Sequence, residues 1–120
     1  MNGEVDHSGR AIVSLSVRAG PDAKATLLDA WVDTAFTGEL VVPRRIVEKL
    51  GLQQSAAVTA GLADGTQVVL ETYSCVVAWF GRQRIVEVIE NEGQVPLLGV
   101  GLLRDQKLEI DYRLRTVVVE

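Results

Sequence analysis

Trp31-Val32-Asp33-Thr34-Ala35-Phe36-Thr37-Gly38 runs directly into Glu39-Leu40-Val41-Val42-Pro43. An apolar segment climbs to one aspartate, the chain turns through small residues, and a second apolar segment leaves. A carboxylate at the end of a buried strand is costly to keep ionised unless it is given partners. The Thr34 hydroxyl and a tight turn at Ala35 and Gly38 are candidates to supply them. Asp33 is therefore the candidate catalytic group, and a turn-capping carboxylate is the plain alternative.

Outward from this stretch, Ala11 to Ala19 alternates apolar and polar residues, which predicts a half-buried strand. Gly20-Pro21-Asp22 is turn chemistry, and Ala25 to Asp33 is a second strand, hairpin-paired with the first. Beyond Gly38, Glu39 to Val42 predicts a short strand. Pro43 suits the first turn of a helix over 43–50, with Ile46, Val47 and Leu50 on one face and Gly51 as its stop. Ala56 to Leu62 and Gln67 to Phe80 read as strands joined by the Ala63-Asp64-Gly65-Thr66 turn. Gly81-Arg82 turns into a strand over Arg84 to Ile89. Asn91-Glu92-Gly93 breaks the pattern, and Pro96-Leu97-Leu98-Gly99 is a brief apolar strand. A helical turn over Val100 to Arg104 and a last hairpin, Lys107 to Tyr112 with Thr116 to Val119, complete the chain. Residues 1–10 are polar with two glycines and read as a flexible N-terminal arm, leaving 11–120 as one domain. The expected class is all-β: mainly β, with one or two short helices.

Composition narrows the chemistry. The 120 residues are 48% hydrophobic but only 5% aromatic, so the core is expected to be aliphatic and rich in valine. A net charge of −4 with scattered arginines is the opposite of a nucleic-acid footprint. There is no apolar run of about 18 residues, hence no expected membrane span. The single cysteine, Cys75, excludes an internal disulfide and makes a cytoplasmic setting the default. Mid-strand among apolar neighbours, Cys75 reads as a core residue rather than a nucleophile. The only histidine, His7, lies in the arm, which argues against Ser-His-Asp or Cys-His hydrolysis. No metal-ligand spacing and no phosphate-binding glycine loop is present, so no metal or cofactor is expected.

Carboxylates remain. Two of them sharing a proton make a hydrolytic catalyst: one draws a proton from water while the other hydrogen-bonds the scissile carbonyl. Asp22, Asp29, Asp64, Asp105 and Asp111, like Asp6 in the arm, do not repeat the strand-end pattern of Asp33. If Asp33 is half of a dyad, the other half is Asp33 of a second copy across a two-fold axis.

The segment Val32-Asp33-Thr34-Ala35-Phe36-Thr37-Gly38 resembles the catalytic loop of the retropepsin-like (clan AA) aspartic proteases. The likeness is to the small bacterial branch, in which Asp-Thr-Gly leads to Phe-Thr-Gly and a Leu-x-Leu-Pro strand; Leu40-Val41-Val42-Pro43 fits that continuation. Leu62-Ala63-Asp64-Gly65-Thr66 stands where that family has its flap, and Pro96-Leu97-Leu98-Gly99 matches its later apolar-apolar-glycine segment. The landmarks span about residues 11 to 119. The resemblance implies a closed acid-protease barrel with one half-site per subunit. It implies Asp33 as the catalytic aspartate, Thr34 and Ala35 as loop support, and Ala63, Asp64 and Gly65 as a flap gripping peptide substrate. Leu97, Leu98 and Gly99 would buttress the loop. The implied protein is a homodimeric aspartic endopeptidase with peptide or protein substrates.

Ala35 departs from the glycine most common at its position and adds a methyl in the crowded centre of such a dimer. A catalytically silent, dimeric peptide-binding domain of the same fold is therefore the main alternative. A second is a swapped-hairpin-barrel DNA-binding regulator, suggested by the strand-Pro-helix-Leu-Gly run from Val41 to Leu52. That reading is disfavoured by the acidic charge and by Gln53-Gln54-Ser55-Ala56, where such regulators carry Gly-Asp. Trp31 and Phe36 are expected in the core or an interface.

Overall fold

The computed structural model describes residues 1–61 and 63–120. Alternation sets its core. In β2 (Ala11–Arg18), Ala11, Val13, Leu15 and Val17 point inward, and in β3 (Thr26–Val32) Leu28, Ala30 and Val32 do the same. The two strands pair antiparallel, with Ile12 opposite Trp31 and Val17 opposite Thr26. β4 (Leu40–Pro43) is buried at every position, which explains its unbroken apolar run: it lies between two other strands instead of facing water.

Pro43 ends β4 and is the N-cap of α1 (Arg44–Leu50) rather than part of the helix's first turn. Val47 is the buried residue of this helix, with Ile46 and Leu50 packed beside the core, and Gly51 closes it at φ +66°. β5 (Gln53–Gly61) and β6 (Gln67–Trp79) form the long hairpin, and β6 pairs on its other side with β7 (Arg82–Asn91). β5 begins earlier than its apolar pattern suggests, because the exposed Gln53 and Gln54 pair ahead of an irregularity before Ala56. Leu62, read as the end of this strand, lies outside the described residues. β8 (Leu97–Leu98), α2 (Val100–Leu103), β9 (Leu108–Asp111) and β10 (Thr116–Val119) complete the fold.

Among the described residues the strands form one ten-stranded sheet in which β6 also pairs with β2, through Val17–Val77 and Arg18–Val76. The pairings β2–β3–β8–β4–β7–β6–β2 thus return to their start, closing a barrel around the aliphatic core. Closure pairs the six barrel strands on both sides, while β5 and β9 stay at the two ends of the sheet.

One expectation is overturned. Residues 1–10 are not a loose arm: β1 (Asn2–Val5) inserts between β2 and β10, and Val5 is buried. The terminal ammonium of Met1 also donates to the Val119 carbonyl at 2.8 Å. The reason is partly non-local: besides the adjacent β2, β10 at the far end of the chain offers a pairing edge that short-range patterning does not reveal.

Candidate active site

The ladder between β3 and β8 runs one residue past the end of β3. Trp31 N–H donates to the Pro96 carbonyl at 2.9 Å and Asp33 N–H to the Leu98 carbonyl at 2.8 Å. Strand alternation therefore extends to Asp33 and puts it on the outward side with Leu27, Asp29 and Trp31, opposite the inward Leu28, Ala30 and Val32. The buried carboxylate expected from sequence is instead half-buried, with Thr34 and Ala35 exposed beside it. Its partner among the described residues is the Ala35 amide, which donates to Asp33 Oδ1 at 3.0 Å; the Thr34 hydroxyl does not fill that role. Phe36 N–H donates to the Asp33 carbonyl at 3.2 Å, closing the turn. The aspartate thus caps its own loop and still presents carboxylate oxygen outward, so the capping and chemical roles are compatible.

The loop is held from behind by a threaded strand. β8 lies between β3 and β4, parallel to the first and antiparallel to the second, with Leu98 opposite both Val32 and Leu40. Those residues are the two ends of the loop, and Leu98 is fully buried between them. Three further bonds lace the loop to the segment after β8: Gly99 N–H to Glu39 O, Val100 N–H to Phe36 O and Gly101 N–H to Gly38 O, each 2.9 Å. A methyl at Gly99 would enter the Gly38 carbonyl oxygen and the Phe36 ring, so only glycine fits there. The backbone at Gly99 is extended (φ −96°), so the demand is for space and not for an unusual conformation.

Ala35 differs in kind. The described non-glycine residues with positive φ are Phe80, Asp105 and Arg115, so the backbone at Ala35 needs no glycine. Ala35 is exposed within the chain.

Asp33 opens on a cleft of about 340 Å³ lined by Trp31, Val32, Thr34, Ala35 and Leu97. Asp33 is its only ionisable lining residue. Two residues near it carry roles that sequence reasoning did not assign. Arg10 stacks over the Trp31 ring at 5.7 Å and is fixed by Asp6, whose Oδ2 accepts Arg10 Nε–H at 2.8 Å. Trp31 is 40% exposed, so it belongs to the surface and not to the core. Glu39 braces the loop's exit: its Oε1 accepts the Glu87 amide and its Oε2 accepts Arg84, both at 2.9 Å. A lone acid entering an otherwise apolar strand was the available signal for Glu39.

The hairpin tip at Ala63, Asp64 and Gly65 is an exposed turn, with Gly65 at φ +87°. Asp64 Oδ1 accepts both the Thr66 hydroxyl (2.6 Å) and the Thr66 amide (3.0 Å). The Thr66 hydroxyl, more than the Thr66 amide, holds this carboxyl below the usual range. Cys75 is buried, as expected for a core residue, and burial pushes its thiol up to about 12. Among the described residues no group of three His, Cys, Asp or Glu side chains is placed to hold a metal ion. No described helix is long and apolar enough to cross a membrane.

No protein-family model matches the chain, and no curated protein matches its sequence. Solved structures do. A retropepsin-like aspartic protease from Rickettsia conorii superposes with a TM-score of 0.69 at 14% identity, covering 99% of this chain and 88% of that one. The EIAV protease in complex with an inhibitor gives 0.60 at 16% identity, covering 83% and 90%. The simian foamy virus (mac) protease gives 0.57 at 18% identity, covering 78% and 91%. The segment from Val41 to Leu52 that suggested a DNA-binding barrel is here β4 and α1 of that same architecture. The closed barrel, the threaded β8 and these superpositions establish that the chain has the retropepsin-like fold.

Proposed function

We propose that the protein is an aspartic endopeptidase that acts as a homodimer, with Asp33 of each copy forming a shared catalytic pair. The observation that carries this reading is the lone carboxylate of Asp33 at the crest of a rigidly laced loop, in a cleft with no second acid. One carboxylate cannot at the same moment take a proton from water and donate a hydrogen bond to the scissile carbonyl. A second copy supplies the missing group, and the exposed Thr34 and Ala35 are the surface over which the two loops would meet.

In that arrangement the two carboxylates share one proton, because like charges so close cannot both be ionised. The ionised member takes a proton from the attacking water, and the protonated member hydrogen-bonds the scissile carbonyl as it becomes tetrahedral. Thr34 locks the paired loops, while Leu97, Leu98 and Gly99 keep each loop rigid. Ala63, Asp64 and Gly65 act as a flap that excludes water and grips substrate backbone; Asp64 serves the turn's shape rather than the chemistry. The non-positive φ at Ala35 removes the conformational objection to its replacing glycine. Its methyl remains as a spacer where the second copy approaches, which is what supports the peptide-binding alternative.

The test is cleavage of a peptide library at mildly acidic pH by wild type and Asp33→Asn, with specific activity followed against protein concentration. Activity that falls on dilution and is lost in the variant, with the fold intact, is the expected result. Peptide binding without cleavage in both proteins sinks the catalytic reading and leaves the silent binder. Cleavage by a species that stays monomeric sinks the shared site.

A further inference from the structure

A second concavity, of about 810 Å³, shares no lining residue with the Asp33 cleft. It is formed where the β6–β7 hairpin turn meets the loop that follows α2. Trp79 forms part of its wall and is 95% buried, and its indole N–H has no hydrogen-bond partner among the described residues. That nitrogen is itself buried, so it lies behind the wall and is not open to the concavity.

The charge here runs against the chain's acidic balance. Arg82, Arg84 and Arg104 all line the concavity. Arg84 is engaged by Glu39, but Arg82 and Arg104 are exposed and make no ion pair among the described residues. With Asp105 also in the lining, the surplus is a single positive charge, suited to a monoanion and not to a phosphate dianion. Apolar surface completes the lining: Ile85 is 74% exposed and Phe80 43% exposed. Phe80 holds φ +49° next to Gly81 at +78°, a turn that glycine or asparagine would fill without strain. It packs edge-on against Trp79, with ring centroids 5.1 Å apart.

We propose that this concavity binds a small monocarboxylate with an apolar body. Arg82 and Arg104 take the carboxylate, and Phe80 and Ile85 contact the apolar group. Guanidinium forks match a carboxylate's two oxygens, and Trp79, in edge contact with Phe80, reports on the site. The site is independent of the peptidase reading.

The two tryptophans give the experiment its own reference, because Trp31 lines the other cleft. The intact protein, labelled with nitrogen-15, is titrated with N-acetyl-L-phenylalanine at neutral pH while both indole N–H resonances are followed. Saturable movement of the Trp79 resonance with Trp31 unmoved is expected. The uncharged N-acetyl-L-phenylalaninamide should bind about tenfold more weakly, as should the acid to an Arg82→Gln/Arg104→Gln protein. A Trp79 resonance that does not move overturns the proposal, as does movement of Trp31 alone. Equal response to acid and amide, or undiminished binding to the double variant, overturns the assignment of the arginines.

Discussion

Replacing Gly99 with alanine tests the central structural claim, that a threaded strand holds the Asp33 loop by direct backbone contact. The added methyl would overlap the Gly38 carbonyl oxygen and the Phe36 ring and lie 2.8 Å from the Phe36 carbonyl oxygen. Two of these atoms are backbone acceptors already bonded, Phe36 O by Val100 N–H and Gly38 O by Gly101 N–H. The methyl can be admitted only by moving those bonds apart. Overpacking of this kind costs about 1–3 kcal/mol, and each backbone bond weakened adds about 1 kcal/mol. The expected loss is about 3–5 kcal/mol, a large share of the ~5–15 kcal/mol that stabilises a typical domain. Gly51→Ala is the matched control, because its φ is +66° but nothing lies within 4 Å of the new methyl. It should cost about 1–2 kcal/mol, from left-handed backbone alone. Urea unfolding at one fixed protein concentration measures both, and fixing it matters if a second copy binds the folded state. If Gly99→Ala unfolds within about 1 kcal/mol of wild type, the threading is wrong or the loop is soft.

Other outcomes follow from particular contacts. Glu39→Gln should destabilise by about 1–2 kcal/mol in the same assay, since a charged acceptor serving both Arg84 and the Glu87 amide is replaced by a neutral one. Arg84→Met should cost less, because Glu39 keeps the Glu87 amide. The Arg10 amide foremost, with the Arg10 guanidinium and the Ser8 amide, holds the Asp6 carboxyl below its ordinary value of 3.8. A carboxyl depressed in the folded state adds stability that is present above its unfolded value and lost as pH falls through the folded one. Stability should therefore drop below about pH 4 in wild type and drop less in Asp6→Asn, as read from thermal midpoints across acid pH. The Cys75 thiol, pushed up to about 12 chiefly by burial, should resist a thiol reagent at mildly alkaline pH until the protein is unfolded. Rapid labelling of the native state would contradict its burial.

Much of this architecture is written in short-range pattern. The alternation in β2 and β3, the apolar run of β4, the Gly51 stop and the Asp64-Gly65 turn each follow from local chemistry that the fold preserves. What escaped is non-local. β1 carries two polar residues and a glycine before its one apolar position, and it is a strand because it pairs both with β2 beside it and with β10 at the far end of the chain. Leu97-Leu98 reads as a brief strand from its apolar run, but its place between β3 and β4 lies outside any local window. The reason for Gly99 becomes visible only when the Gly38 carbonyl is known to sit where its side chain would be. The environment of Asp33 was misjudged for a related reason. Apolar neighbours in sequence suggested burial, whereas strand parity turns the residue outward. Its cleft was legible as a location, but the Arg10–Trp31 stack and the Glu39 brace depend on partners that no local window contains.

The threaded strand also bears on when the site can exist. Trp31 and Leu97 are neighbours in the sheet although 66 positions separate them in the chain. Pairings between such distant segments form late, because a long loop must be closed before any contact rewards it. During synthesis, the segment carrying Asp33 emerges well before the segment that fixes it. Until Gly101 has been added and drawn behind the loop, the loop lacks the backbone bonds that lace it from behind. A chain stalled anywhere short of that point carries Asp33 without the geometry that places it.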